Sequence, residues 1–223
     1  MDPAQSSTST FPARAWLFGV GALLVALSCL LGAWIFFRGE TPFAIDTWWN
    51  QVLAEWISPF MLGLSQVMNW IGGGVAGILI VPLAGAVALI ILKRPWSAAF
   101  FLAAEFASAG GVQLLKHLFG RVRPEDIIVI SDYGSFPSGH VANAATIATA
   151  AVVLFPRLWV VIVGAVWVLL MALSRTYLHA HWLSDTIGGA LLGVGAALIV
   201  AGIFAPLLAK ERTDAPATAP SLG

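Results

Sequence analysis

Long apolar runs separated by short polar segments dominate this chain. A bilayer core of roughly 30 Å requires about 20 helical residues, and six runs reach or approach that length. The predicted spans are Ala15–Phe37, Gly72–Leu92, Ser97–Leu118, Val141–Phe155, Leu158–Leu178 and Leu183–Leu208. The fourth run is short, so its start is expected nearer Ser138. The pattern predicts an all-α fold, a polytopic six-helix transmembrane bundle.

The segments outside these runs complete the predicted organisation. Four tryptophans among scattered polar residues, between Phe43 and Trp70, indicate an interfacial helix between the first two spans and a lead-in to the second. Polar residues 1–14 and Ala- and Pro-rich residues 210–223 are predicted to be disordered tails. Residues 15–209 then form one membrane domain.

Composition agrees with a membrane protein and excludes other classes. The 223 residues are 59% hydrophobic and 10% charged, with a mean hydropathy of +0.90. The formal net charge is zero, so no overall field attracts nucleic acid. The single cysteine, Cys29, cannot form an internal disulfide.

Short-loop charges predict the orientation. With six spans, the basic residues outside the polar islands fall on one side: Arg14, Lys93, Arg94, Arg157, Lys210 and Arg212. The positive-inside rule makes that side cytoplasmic. We therefore predict a multi-pass protein of the cytoplasmic membrane, with both termini inside.

Three polar islands lie among the apolar runs, all on the opposite, extracytoplasmic side. They read Lys-x6-Arg-Pro from Lys116, Pro-Ser-Gly-His ending at His140, and Ser-Arg-x5-His-x3-Asp ending at Asp185. Cations beside apolar spans are costly to desolvate, so a cluster of them indicates an anionic ligand. Lys116, Arg123 and Arg175 can bind phosphate oxygens.

The other island residues add acid, base and nucleophile chemistry. Ser138 and Gly139 precede the fourth span, where a hydroxyl and backbone N–H groups can point at an anion. His181 and Asp185 are spaced i, i+4 on one helical face, so Asp185 can accept the Nδ1 proton of His181 and leave Nε2 free.

Together, the three islands resemble the signature of the type-2 phosphatidic acid phosphatase superfamily, also called lipid phosphate phosphatases, and more closely its bacterial membrane branch of phosphatidylglycerophosphatase B and undecaprenyl-diphosphate phosphatase. The resemblance implies that His181 attacks phosphorus to form a phosphohistidine. It further implies that His140 protonates the leaving group and then activates water, with Asp185 as the third catalytic residue. Lys116, Arg123, Ser138, Gly139 and Arg175 would bind the substrate phosphate.

The function expected from this resemblance is hydrolysis of a terminal phosphate monoester or diphosphate of a lipid at the outer membrane face. Candidate lipids are prenyl diphosphates, phosphatidylglycerophosphate and phosphatidic acid. No metal or other cofactor is expected, because the basic side chains supply the positive charge; the expected partners are the substrate and membrane lipids, without nucleic acid. Two alternatives are a lipid phosphotransferase using the same phosphohistidine and a non-enzymatic transporter or scaffold with a retained anion site. The substrate, the oligomeric state and the roles of Glu105 and His179 stay open at this stage.

Overall fold

The computed structural model describes residues 11–214, with side chains described from Arg14 onwards. Every regular element in this range is helical, which confirms the predicted all-α class. The elements in chain order are α1 (Phe11–Phe37), α2 (Ala44–Glu55), α3 (Pro59–Gly72), a π-helical turn (Ala76–Ile80), α4 (Val81–Ile91), α5 (Pro95–Phe119), α6 (Gly139–Leu154), α7 (Leu158–Tyr177) and α8 (Leu183–Asp214).

The described helices cross the bundle six times, counting α3 and α4 as one bent passage. Helices α1, α5, α7 and α8 are each long and apolar enough to span a bilayer. The α3–α4 pair passes the same test only together and bends by 49° at its break. Helix α6 is apolar but has 16 residues. It nevertheless runs beside α5 to the end of the bundle at which α5 begins. Phe155, just after the end of α6, lies with its ring centroid 4.9 Å from the guanidinium carbon of Arg94, just before the start of α5. Six membrane spans stay a prediction.

The two predicted tail boundaries are corrected by the helix ends. Helix α1 already begins at Phe11, and α8 continues to Asp214, beyond its apolar run. The polar end of α8 is anchored to the start of α5, where Glu211 accepts hydrogen bonds from the backbone N–H groups of Trp96 (2.6 Å) and Ser97 (3.2 Å), which have no acceptor within α5. Residues 1–10 and 215–223 of the predicted tails lie outside the described residues.

Helix α8 packs against α1, α5 and α6. Its inner face carries small residues, which let the backbones approach closely; a Cβ at Gly193 would overlap the Ala142 carbonyl group on α6. Van der Waals contact of this kind drives helix association in lipid, where the hydrophobic effect is absent. The packing brings the first turns of α6 and α8 together.

The segment predicted as an interfacial helix with a lead-in forms α2 and α3. Helix α2 lies over the last turn of α7 and the first turn of α8. The Trp49 indole N–H donates to the Thr176 hydroxyl at 3.0 Å, and the Ser184 backbone N–H donates to Asp46 at 2.8 Å. Its position at a membrane surface stays a prediction.

The longest connection in the described chain, residues 120–138, joins α5 to α6. Helix α5 ends at Gly120, which adopts the left-handed conformation favoured at helix C-termini (φ +55°). The Ser135 N–H donates to the Arg121 carbonyl group at 2.8 Å, and the Ile128 N–H donates to that of Leu178 at 3.2 Å. These bonds fold the connection back beside the α7–α8 turn.

Candidate active site

The three polar islands meet in one cavity of about 980 Å³. Six of the eight predicted site residues line its polar end: Lys116, Arg123, Gly139, His140, Arg175 and His181. The rest of the lining is mainly apolar and follows the bent α3–α4 passage and α5, with side chains such as Val75, Leu79 and Phe106. The cavity therefore joins a cationic end to an apolar groove.

Each of the three predicted phosphate-binding cations is held by hydrogen bonds. Lys116 Nζ donates to the Gly134 carbonyl group at 2.6 Å, and Arg123 Nη2 donates to the same oxygen at 2.9 Å. Arg175 donates to the Asn69 side-chain oxygen. Lys116 and Arg175 are each 2% exposed, so little water competes for them. Their positive charges are therefore fixed around one space.

Asp132 is a carboxylate in this cationic end that sequence reasoning missed. Its Oδ1 lies 2.7 Å from Arg123 Nη2 and 3.3 Å from Lys116 Nζ. Asp132 lines the cavity, and its side chain is 58% exposed. Its carboxylate oxygen pairs with both cations, in the position that a phosphate oxygen could take.

The ring of His181 is oriented by both of its nitrogens. Nδ1 lies 2.8 Å from the Ser135 carbonyl oxygen. Because a carbonyl only accepts, Nδ1 carries the proton and the lone pair belongs to Nε2, 3.2 Å from Arg123 Nη1. Burial, followed by the charges of Arg123 and Arg175, lowers the pKa of His181 well below 6.5. The imidazole is thus neutral, with its unprotonated nitrogen facing Arg123.

The predicted hydrogen bond from His181 to Asp185 is wrong in this structure. Asp185 Oδ2 lies 3.7 Å from Nδ1, and the Ser135 carbonyl group takes the proton instead. The physical reason is that both carboxylate oxygens are already bonded: Oδ1 to Arg121, and Oδ2 to the Ser135 hydroxyl and the Trp182 N–H. Asp185 holds the two backbone segments that flank His181, so it is a positioning residue.

Arg121 lies at the centre of a buried ion network behind the cavity. Its guanidinium contacts Asp185 through Nη1 and Asp46 through Nη2, the latter at 2.8 Å. The three side chains are fully buried. Asp46 also accepts from the Ser184 hydroxyl at 2.7 Å. The network joins α2, the 120–138 connection and the start of α8.

His140, at the second position of α6, is held by the α3 end. Its Nε2 lies 3.1 Å from the Asn69 carbonyl oxygen, and because a carbonyl only accepts, Nε2 carries a proton. The ring fits because Gly73 has no side chain; a Cβ there would overlap it. Asn69 thus contacts His140 through its backbone and Arg175 through its side chain.

The Pro-Ser-Gly-His turn contributes less than expected at Ser138. Its backbone N–H donates to the Asp185 carbonyl group at 3.0 Å, so it is not free for an anion. Ser138 is fully buried, and within the described chain it is not among the residues that line the cavity. Gly139 and His140 do line it, and the N–H groups of these first helical positions have no acceptor inside the helix. The predicted anion site at this helix start therefore moves to Gly139 and His140.

His179 and Glu105, whose roles were open, lie in different surroundings. His179 is 2% exposed, with Nδ1 2.7 Å from Asp126, and is not among the described residues that line the cavity. Glu105 lines the groove about eleven residues before Lys116 along α5.

Four functional contacts were missed, at Asp46, Asn69, Asp132 and Ser135. Asp46 and Asn69 carried a weak signal, since each is polar within a Trp-rich apolar segment. The Ser135 contact uses a backbone carbonyl group, which no side-chain motif can indicate.

The chemistry that this arrangement can perform is attack on a bound anion. Within residues 11–214, no three His, Cys, Asp or Glu side chains lie together so as to hold a metal ion. Three fixed cations can bind phosphoryl oxygens, and two imidazoles, each with one N–H fixed by a backbone carbonyl group, line the same space. Metal-free catalysis stays a prediction.

Known proteins share both the sequence pattern and the fold. The PAP2 superfamily matches residues 94–207, which include all eight predicted site residues. The decaprenylphosphoryl-5-phosphoribose phosphatase of Mycobacterium tuberculosis is 35% identical over 147 residues, 64% of this chain and 80% of that protein. The undecaprenyl-diphosphatase of Sulfolobus acidocaldarius is 31% identical over 114 residues, 47% of this chain and 54% of that protein.

A solved structure extends the likeness to most of the chain. The transmembrane PAP2 type phosphatidylglycerolphosphate phosphatase from Bacillus subtilis matches with a TM-score of 0.72 at 22% identity, covering 84% of this chain and 96% of that one. At this identity the match shows a common fold. With the family match over half of its length, and as its three motifs predicted, the chain belongs to the PAP2 superfamily.

Proposed function

We propose that this protein is an integral membrane lipid phosphatase that hydrolyses a terminal phosphate monoester or diphosphate through a phosphohistidine at His181. The observation that carries the proposal is the two-part cavity, in which a neutral His181 and three cations lie at one end of an apolar groove. The groove suits a lipid tail, and the cations suit its phosphate. The names of the relatives, which act on prenyl-linked phosphates, support the same substrate class.

In the first step, His181 Nε2 attacks phosphorus. In the free protein, Arg123 donates a hydrogen bond to the Nε2 lone pair at 3.2 Å. When substrate binds, Arg123 donates to a phosphoryl oxygen instead, which frees this lone pair for the attack. The P–O bond to the lipid breaks as the N–P bond forms, and the Ser135 carbonyl group accepts the Nδ1–H of the charged ring. Lys116, Arg123 and Arg175 neutralise the charge that develops on the phosphoryl oxygens.

His140 serves both proton transfers. Because Nε2 is bonded to the Asn69 carbonyl group, Nδ1 is the nitrogen that exchanges a proton with the substrate. A protonated His140 gives this proton to the leaving oxygen and, once neutral, takes one from water. The water attacks phosphorus, the N–P bond breaks, and inorganic phosphate leaves.

The cell membrane and its outer face are the proposed location. The site lies at the ends of α5 and α7 and the starts of α6 and α8. The basic residues at the opposite end of the bundle, such as Arg94 and Arg157, favour a cytoplasmic location for that end. Lipid phosphates would then enter laterally between α4 and α5 from the outer leaflet.

The test is phosphate release from prenyl diphosphate, phosphatidylglycerophosphate and phosphatidic acid in detergent micelles containing EDTA. Wild type is expected to be active, and His181→Asn to lose at least about 10³-fold in kcat. His117→Asn is the matched control, because His117 is exposed, is not among the described residues that line the cavity, and hydrogen-bonds to the backbone carbonyl group of Gln113; its activity should equal wild type. Activity retained in His181→Asn, or lost in EDTA and restored by magnesium, would contradict the proposal.

A further inference from the structure

Three polar side chains that the proposed reaction does not use line the groove next to the catalytic end. Glu105 and Ser108 lie on α5, and Asn143 lies on α6. Each has a buried oxygen without a hydrogen-bond partner among the described residues: Glu105 Oε1, Ser108 Oγ and Asn143 Oδ1. Ser108 is only 2% exposed. Unpaired buried polar atoms are rare in folded proteins, so their grouping in one cavity points to a ligand.

The helix register places Ser108 and Asn143 at one level of the groove and Glu105 close to it. Gly139 at the start of α6 faces Val112 on α5, where a Cβ would lie 3.5 Å from the Val112 side chain. The two helices are antiparallel, so four residues inward Ser108 reaches the level of Asn143. Glu105 follows one turn deeper. Asn143 lies about 4.5 Å beyond His140 along the helix axis. The polar level therefore adjoins the leaving group that His140 protonates.

The hydrogen-bond chemistry of Asn143 is fixed by its other contacts. Its Nδ2 donates to the carbonyl groups of Gly77 at 2.9 Å and Gly72 at 3.3 Å, both beside the break between α3 and α4. Carbonyl groups only accept, so the amide cannot be reversed, and Oδ1 is the atom left for a ligand. An acceptor oxygen requires a donor, and the Glu105 oxygen and the Ser108 hydroxyl can accept as well.

We propose that Glu105, Ser108 and Asn143 form a subsite for a hydroxyl group on the leaving group of the lipid phosphate. The inference rests on the proposed function and states which of its substrates are preferred: lipid phosphates that carry a free hydroxyl within a few bonds of the phosphoester, as polyol and sugar phosphates do. A plain polyprenyl or alkyl phosphate leaves these oxygens unpaired. Sites built to bind a hydroxyl discriminate strongly against analogues that lack it.

The test compares two substrates that differ by one hydroxyl. They are 1-oleoylglycerol 3-phosphate and its 2-deoxy analogue, 3-oleoyloxypropyl phosphate, assayed in the same detergent micelles. Wild type is expected to show a kcat/KM at least about tenfold higher for the hydroxylated lipid. In the double variant Glu105→Leu/Ser108→Ala, kcat/KM for the hydroxylated lipid should fall to within about twofold of that for the deoxy lipid, while kcat/KM for the deoxy lipid stays near the wild-type value. Asn143 is left unchanged because its amide also donates hydrogen bonds to the Gly72 and Gly77 carbonyl groups at the break between α3 and α4.

The control is Ser28→Ala, which removes a buried hydroxyl that already donates to the Gly188 carbonyl group at 2.9 Å outside the cavity. Its substrate ratio should equal wild type. Equal kcat/KM for both lipids in wild type, or an unchanged ratio in the double variant, would overturn the subsite. Phosphate release from neither lipid, nor from the lipids of the first assay, would instead count against the proposed function.

Discussion

At the scale of single residues, the reactive state of His181 is set by its immediate neighbours. The Ser135 carbonyl group fixes the tautomer, and Arg123 faces the free nitrogen. Desolvation and the nearby guanidinium groups oppose protonation. In the proposed mechanism, His181 therefore needs no separate base to remove a proton from Nε2 before it attacks phosphorus.

The pH dependence of His181 follows from these contacts. Because its pKa is lowered well below 6.5, we expect the ring to stay neutral, with the Nδ1–H tautomer, as the pH falls from 7.5 to 5.5. Bound inorganic phosphate should raise the pKa, since its negative charge offsets the guanidinium groups. Nitrogen NMR of histidine-labelled protein, with the signal assigned through His181→Asn, measures both effects. Protonation of His181 at or above pH 6.5 without phosphate would contradict this description.

Asp132 should compete with substrate for two cations. Replacing its carboxylate in Asp132→Asn removes the negative charge beside Lys116 and Arg123. We expect the inhibition constant for inorganic phosphate to fall about three- to tenfold, the size of a partly exposed ion pair. Asp126→Asn is the matched control, because Asp126 lies in the same connection but accepts a hydrogen bond from Asn50 and lies beside His179 instead. Weaker phosphate binding in Asp132→Asn would show that Asp132 orients the cations and does not compete.

At the scale of elements, the buried Asp46–Arg121–Asp185 network holds α2, the 120–138 connection and α8 together. Hydrophobic packing alone does not fix a long connection that carries reactive side chains. The network does so by joining three segments that are distant in sequence. It also leaves Asp185 without a bond to His181, although the two are only four residues apart; His181 precedes α8, so the two side chains do not share a helical face.

Two arginines only two residues apart should therefore behave differently. Arg121→Met leaves two carboxylates buried without a counter-charge, so we expect a loss of about 3–5 kcal/mol in the free energy of unfolding. Arg123→Met alters the cavity lining and should retain most of the thermal stability while losing phosphate binding. Thermal unfolding in detergent and phosphate titration measure the two effects. A wild-type melting temperature for Arg121→Met would exclude the structural role of the network.

The sequence predicts the helices and the motif residues of the site, but it does not predict the long-range contacts that hold those residues. Hydropathy predicts the helices well, because each long apolar run must satisfy its backbone hydrogen bonds internally. The predicted convergence of Lys116, Arg123, His140, Arg175 and His181 is confirmed, since an even number of passages separates the islands. The contacts of Asp46, Asn69 and the Ser135 carbonyl group are long-range, and no local pattern encodes them.

At the scale of the whole molecule, exposed tryptophans mark both ends of the bundle. Trp16, Trp96 and Trp159 lie at the starts of α1, α5 and α7, opposite the site, and are 70%, 43% and 59% exposed. Trp34, Trp48, Trp56 and Trp70 lie at the site end and are also exposed. Tryptophan favours the membrane–water interface. The two groups support a bundle that crosses the bilayer with the site at one surface.

The orientation can be read with single cysteines. The chain has one cysteine, Cys29, so Cys29→Ser provides a background without thiols. In it, Glu125→Cys on the 120–138 connection should react with a membrane-impermeant maleimide on intact cells, and Thr213→Cys at the end of α8 should react only after lysis. Both positions are exposed. The opposite labelling pattern would reverse the predicted topology.

The proposed mechanism is tested most directly by trapping the covalent intermediate. Protein mixed with a lipid phosphate labelled in its terminal phosphoryl group is quenched at alkaline pH within milliseconds, and the labelled peptide is sequenced. We expect an acid-labile phosphohistidine at His181, absent from His181→Asn and longer-lived in His140→Asn, where water activation is lost. A label on another residue, or turnover by His140→Asn and wild type without any labelled enzyme, would contradict the mechanism.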